Sequence, residues 1–181
     1  YEAGEYSRTL DDLRWLKTQT KSKFLRDKYT GLIAYWMGMV HYRLQNYQDA
    51  VKSFAVAIKL KYQAEDIYYT YGQCLYALDE LERARRAFAT SVKINHRPAI
   101  SLYYIGFSYQ LQGDKKRAVR FYRMVNKVED PEKEEIEQAA TAQIGDIYLE
   151  QVLRLEENRL EFGLNRFVFP SYEDAIGMDD D

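Results

Sequence analysis

Gly72-Gln73-Cys74-Leu75-Tyr76-Ala77-Leu78-Asp79-Glu80-Leu81-Glu82-Arg83-Ala84-Arg85-Arg86-Ala87-Phe88-Ala89-Thr90-Ser91 decides the fold. It holds a small residue in one apolar run, a polar pair at Asp79-Glu80, then alanine, phenylalanine and serine spaced by four and three. On a helix, positions i, i+4 and i+7 share one face, so the second half lays Ala84, Phe88 and Ser91 on a single stripe. Thirty-four residues earlier stand Gly38, Ala50, Phe54 and Ala57, and 34 later Gly106, Ala118, Tyr122 and Val125. Self-similarity at one fixed period marks a repeat architecture.

The repeat divides residues 31–132 into units 31–64, 65–98 and 99–132. Each reads as two helices, and the first helices contain Tyr35 to Arg43, Tyr69 to Leu78 and Tyr103 to Leu111. Gln45-Asn46, Asp79-Glu80 and Gln112-Gly113-Asp114 form the turns. The glycine and the alanine let two antiparallel helices approach closely, and the aromatic fills the space beside them. Pro98 and Pro131 are expected to stop second helices. Residues 8–29 predict a helix with Leu10, Leu13, Leu16 and Phe24 near one side, within an N-terminal capping segment 1–30. Residues 133–162 predict one long capping helix, because no turn follows Gly145-Asp146-Ile147-Tyr148 where a fourth unit would need one. Solenoid ends need such caps. Residues 163–181 make an acidic tail. Its stretch Arg166-Phe167-Val168-Phe169-Pro170-Ser171-Tyr172 suits either docking or a poorly ordered end.

With small residues at position 8 and at position 20, an aromatic at 24 and a small residue at 27, the sequence resembles the tetratricopeptide repeat family. The resemblance implies an all-α solenoid of about three helix-turn-helix units. Position 11 holds His41, Leu75 and Tyr109, and position 32 holds Tyr62, His96 and Asp130 where the family has proline. It also implies that positions 5, 9 and 12 of each first helix face a concave groove. Here these are Tyr35, Met39 and Tyr42, then Tyr69, Gln73 and Tyr76, then Tyr103, Phe107 and Gln110. Aromatics there serve either a ligand groove or packing on the neighbouring repeat. The family's carboxylate clamp would place lysine, asparagine and arginine at Tyr35, Met39, Thr70, Ile100 and Tyr104; none matches.

A second ladder is cationic. Lys52, Arg86 and Arg120 stand 34 apart, as do Lys59, Lys93 and Lys127. The six are expected on the exposed side of the second helices, either as a solvated face or as a contact for an acidic partner or the chain's own tail. Charge is divided unevenly along the chain. Residues 1–128 carry 22 Lys and Arg against 12 Asp and Glu, and residues 129–181 carry 4 against 16. That acidic end and a pI near 5.8 disfavour nucleic acid.

Enzyme classes find no foothold. No Gly-rich phosphate loop, Gly-x-Ser-x-Gly elbow or His-Glu-x-x-His occurs. Asp11-Asp12 and Glu134-Glu135 are adjacent, and adjacent helical residues point away from each other. One cysteine and two histidines offer no metal centre. Cys74 reads as a buried, inert thiol and His41 as a packed histidine. No apolar run is long enough to span a membrane, and the start at Tyr1 suggests a trimmed or processed product. The expected function is a non-catalytic protein-interaction module without cofactor, a scaffold or assembly adaptor holding an apolar helix or peptide. The alternative is a chaperone-like holder of an aggregation-prone apolar segment.

Overall fold

In the computed structural model, which describes residues 2–19 and 23–162, every regular element is a helix. The described residues form α1 (Glu2–Gln19), α2 (Lys23–Arg43), α3 (Tyr47–Lys59), α4 (Ile67–Ala77), α5 (Leu81–Lys93), α6 (Pro98–Leu111), α7 (Lys115–Val125) and α8 (Lys133–Phe162). The fold is all-α, built from helix-turn-helix pairs of the α-solenoid class. It comprises two compact units, residues 1–96 and 97–181.

In the first unit α2 packs on α3 and α4 on α5, with α4 also against α3. The ladder residues explain the closeness of each pair. Ala50, Phe54 and Ala57 on α3, and Ala84 and Phe88 with Ser91 on α5, are fully buried. A methyl added at Gly38 would lie 2.7 Å from the Phe54 ring, and one at Gly72 would lie 2.8 Å from the Phe88 ring. The bare glycine backbone is therefore the seat of the ring. Each buried ring contributes roughly 1.5–3 kcal/mol through the apolar surface it removes from water. Helix α1 packs along α2 and buries Leu10 there. The helix expected over 8–29 is thus carried by two elements, α1 and the first turns of α2, with residues 20–22 outside the described residues.

The second unit repeats the arrangement. Ala118, Tyr122 and Val125 of α7 are fully buried, and a methyl at Gly106 would meet the Tyr122 ring at 2.8 Å. Tyrosine here carries a hydroxyl into the core, and it donates to Gln110 Oε1 at 2.6 Å. Helix α8 runs unbroken through Gly145 and packs on α7 and α6 through Ala140, Ile147 and Tyr148. Its other side leaves Leu149 and Leu153, one turn apart, more than half exposed.

The turns repeat as well. Gln45, Asp79 and Gly113 all adopt positive φ, at 57°, 59° and 79°. In each case two backbone hydrogen bonds close a Schellman end: Gln45 N–H to Tyr42 and Asn46 N–H to His41, then Asp79 to Tyr76 and Glu80 to Leu75, then Gly113 to Gln110 and Asp114 to Tyr109. The second helices α3 and α5 end the same way, on Lys61 and Asn95. This corrects the reading of the prolines. Helix α5 stops at Lys93 by its own left-handed C′ residue, and Pro98 opens α6 at N1, where a missing N–H costs nothing. Pro131 lies in the turn before α8.

Candidate protein-interaction surfaces

The first helices carry the expected aromatic ladder, and the structure sorts it into two depths. Tyr35 and Tyr69 are buried, at 8% and 4% exposure, so they do not reach the surface as direct contacts. The cause lies at position 32, where the family's proline is replaced. The Tyr35 ring lies 5.3 Å from Tyr62 and 6.3 Å from Phe54, while Tyr69 lies 6.2 Å from His96 and 6.0 Å from Phe88. An aromatic side chain at position 32 therefore lies against the ring at position 5. The third copy of that position is Asp130, which instead accepts hydrogen bonds from the N–H groups of Ala99 (3.0 Å) and Glu132 (2.9 Å). Without an aromatic from that position, Tyr103 is half-buried, stacked on Phe107 at 6.0 Å and 5.5 Å from Tyr122.

Polar tips fix these rings. Tyr35 donates its hydroxyl to both carboxylate oxygens of Asp66, at 2.9 and 3.0 Å, which joins α2 to the start of α4. Burial first, then the adjacent carboxylate, pushes the Tyr35 phenol well above its ordinary range. Tyr42 donates to Gln73 Oε1 at 2.9 Å, and Gln73 Nε2 donates on to the Tyr69 hydroxyl at 3.1 Å. In the second unit Gln110 accepts from Tyr122 and donates to Gln143 at 2.9 Å. Gln73 and Gln110 thus brace neighbouring helices. The half-buried side chains left on this side are Met39, Tyr42, Gln73 and Tyr76 in the first unit, and Tyr103, Phe107 and Gln110 in the second. Trp36, 49% exposed and edge-on to Tyr35 at 5.2 Å, is an aromatic that the positional pattern missed.

All six residues of the cationic ladder are exposed: Lys52 and Lys59 on α3, Arg86 and Lys93 on α5, Arg120 on α7 and Lys127 just beyond it. The second helices bury one stripe of small and aromatic residues, so the opposite side is left to solvent and charge. Lys52 pairs with Asp49 at 2.9 Å, which with Asn46 holds the Asp49 carboxyl below its usual range. Arg83 pairs with Glu80 and donates to the Tyr71 hydroxyl at 2.8 Å. On α7, Lys115 pairs with Glu150 of α8 at 2.6 Å, and Arg117 sits 5.5 Å from the centre of the Tyr109 ring. Such exposed pairs are worth little each, roughly 0–1 kcal/mol, so this face adds little to stability.

Cys74 and His41 are turned inward. Cys74 is fully buried and burial pushes its thiol up to about 12, which suppresses the reactive thiolate. His41 is 6% exposed, its Nδ1 finds no hydrogen-bond partner among the described residues, and burial lowers its pKa. Among the described residues no group of three His, Cys, Asp or Glu could hold a metal ion, and no helix is long and apolar enough to cross a membrane. The tail stretch Arg166 to Tyr172 lies outside the described residues.

The family model for the tetratricopeptide repeat matches residues 34–60 and 101–128. No curated protein matches the chain. The matched segments cover α3 and α7, the C-terminal part of α2 and most of α6, and between them Gly72, Ala84 and Phe88 keep the same 34-residue register and the same packing. The chain carries tetratricopeptide repeats, which generally mediate protein–protein interaction or scaffolding.

Proposed function

We propose that the chain is a non-catalytic scaffold or assembly adaptor that holds an apolar helix or peptide segment of another protein against its first helices. The observation that carries this reading is the half-buried set Met39, Tyr42 and Tyr76 in one unit and Tyr103 and Phe107 in the other. Aromatic and methionine side chains that are anchored on one side and open on the other present large apolar area at low entropic cost. Met39 with Tyr42, and Tyr103 with Phe107, are three and four residues apart on their own helices, so each pair presents its apolar area on one helix face. Beneath them, Tyr35 and Tyr69 act as the floor, held by Asp66 and by the Tyr42–Gln73–Tyr69 chain. The exposed cationic ladder fits a second, weaker contact with acidic segments.

The test is capture of partners by the wild type and by the combined variant Tyr42→Ala, Tyr76→Ala, Phe107→Ala, with identification by mass spectrometry. A folded partner kept by the wild type and lost by the variant, with helical circular dichroism intact, is the expected result. Equal capture by both would overturn this surface. Preferential retention of isolated unfolded segments would favour a chaperone-like holder instead.

A further inference from the structure

The outward side of α8 joins an apolar stripe to a line of unpaired carboxylates. The helix packs on α6 and α7 through Ala140, Ile147 and Tyr148. Its opposite side carries Ala142, Gly145, Leu149 and Leu153, spaced by three and four residues, and all four are exposed. Leu149 and Leu153 leave 58% and 55% of their surface to solvent. Glu135, Asp146 and Glu157 recur every 11 residues, about three turns, so they run along one edge of this stripe. All three are exposed, and none makes an ion pair or a side-chain hydrogen bond among the described residues.

Gly145 lies in the middle of the stripe. Gly38, Gly72 and Gly106 each seat an aromatic ring of the next helix, whereas nothing lies within 4 Å of a methyl added at Gly145. Glycine inside a helix is destabilising relative to alanine, and packing within the chain gives it no purpose here. A bare backbone beside Ala142 does allow a second helix axis to come close, because interaxial distance is set by the side chains at the contact.

We propose that this face of α8 takes an amphipathic helix of another protein, one with an apolar stripe bordered on one side by lysine or arginine. A large apolar side chain of that helix sits over Ala142 and Gly145, its neighbours pack on Leu149 and Leu153, and its cations meet Glu135, Asp146 and Glu157. Ala142 to Leu153 spans about 17 Å and Glu135 to Glu157 about 33 Å, so a helix of about 20 residues uses both. Charge selects this occupant. An antiparallel second copy would bring the acidic line against its own image, since a two-fold axis keeps the same edge of both helices together. Residues 163–181 carry Glu173, Asp174, Asp179, Asp180 and Asp181 against Arg166 alone, so like charge opposes them. Nucleic acid and anionic lipid are repelled for the same reason. The surface belongs to α8 and does not rest on the first-helix reading.

The test titrates the full chain into a fluorescein-labelled peptide made of three copies of Leu-Lys-Lys-Leu-Leu-Lys-Leu, followed by fluorescence anisotropy. A second peptide with glutamate for every lysine is the charge control. The lysine peptide should bind, and the glutamate peptide should bind at least about tenfold more weakly. Leu149→Glu with Leu153→Glu should weaken the lysine peptide at least about tenfold, because two apolar contacts are lost. Asp146→Lys with Glu157→Lys should weaken it about tenfold, the scale of two exposed ion pairs, and that difference should shrink in about 0.5 M salt. Gly145→Gln should also weaken it, by filling the seat. The altered positions are exposed, so helical circular dichroism should match the wild type in each variant. A photoreactive phenylalanine analogue at Leu149 should cross-link to the lysine peptide. Absence of binding, or equal binding by the wild type and both paired variants, would overturn the proposal. Adducts from Leu149 to a second copy, or to residues 163–181 of the same chain, in place of the peptide would overturn it in favour of that occupant.

Discussion

Replacing Gly72 by alanine tests the packing on which the repeat depends. The new Cβ would stand 2.8, 2.9 and 3.1 Å from three atoms of the Phe88 ring. Favourable carbon contacts begin at about 3.5 Å, so the ring or the helix must retreat by roughly 0.5–1 Å. Phe88 is fully buried, with the Tyr69 ring 6.0 Å away, so its ring retreats only against packed neighbours. Overpacking of this kind costs about 1–3 kcal/mol, against a gain of up to about 1 kcal/mol from alanine's helix propensity. The net expectation is a loss of about 0.5–2 kcal/mol. In a urea titration followed by helical circular dichroism this moves the midpoint down by roughly 0.3–1 M. Adding Phe88→Leu should relieve the clash, so the double variant should lose less than the two single losses combined. The matched control is Gly145→Ala on α8, where nothing lies within 4 Å of the new methyl; it should gain up to about 1 kcal/mol. If Gly72→Ala were as stable as the wild type, or showed no coupling to Phe88, the account of close helix approach would be refuted.

Three further outcomes follow from particular residues. Gly113→Ala also meets open space, yet its φ of +79° is left-handed, so it should cost about 1–2 kcal/mol where Gly145→Ala gains; denaturant midpoints measure the contrast. His41 has its folded pKa lowered below 6.5 by burial, so its neutral form contributes stability that is complete above pH 6.5 and lost as pH falls through the folded value; the fall between pH 7 and 5 should be shallower in His41→Leu. Cys74 should resist a thiol reagent at pH 8 in the folded chain and react at once in denaturant, and fast labelling of the native chain would contradict its burial.

The 34-residue register made the fold legible because each core position carries a side chain whose size the packing demands. Phe54, Phe88 and Tyr122 recur because a bare glycine faces each of them. What the register could not show was depth. Positions 5 and 9 share a helix face, yet Tyr35 and Tyr69 are buried while Tyr103 is not. That difference is made 27 residues away, by Tyr62 and His96 against Asp130, and the three stand in register in the sequence as departures from the family's proline. Helix ends were misjudged for a related reason. Proline is the visible breaker, but Lys61 and Asn95 end α3 and α5 by turning left-handed, a conformation that asparagine favours and lysine does not announce. Gln73 and Gln110 look like groove residues by position and act as braces by geometry.

The most direct test of the central claim places a photoreactive phenylalanine analogue at Tyr42, Tyr76 or Phe107 on the first helices, and separately at Arg86 or Lys93 on the exposed side of α5. Irradiation with the captured partner should yield adducts from the first three positions, mapping to apolar helix or peptide segments of that partner, and none from the last two. Adducts from Arg86 and Lys93 alone would contradict the account and move recognition to the cationic face.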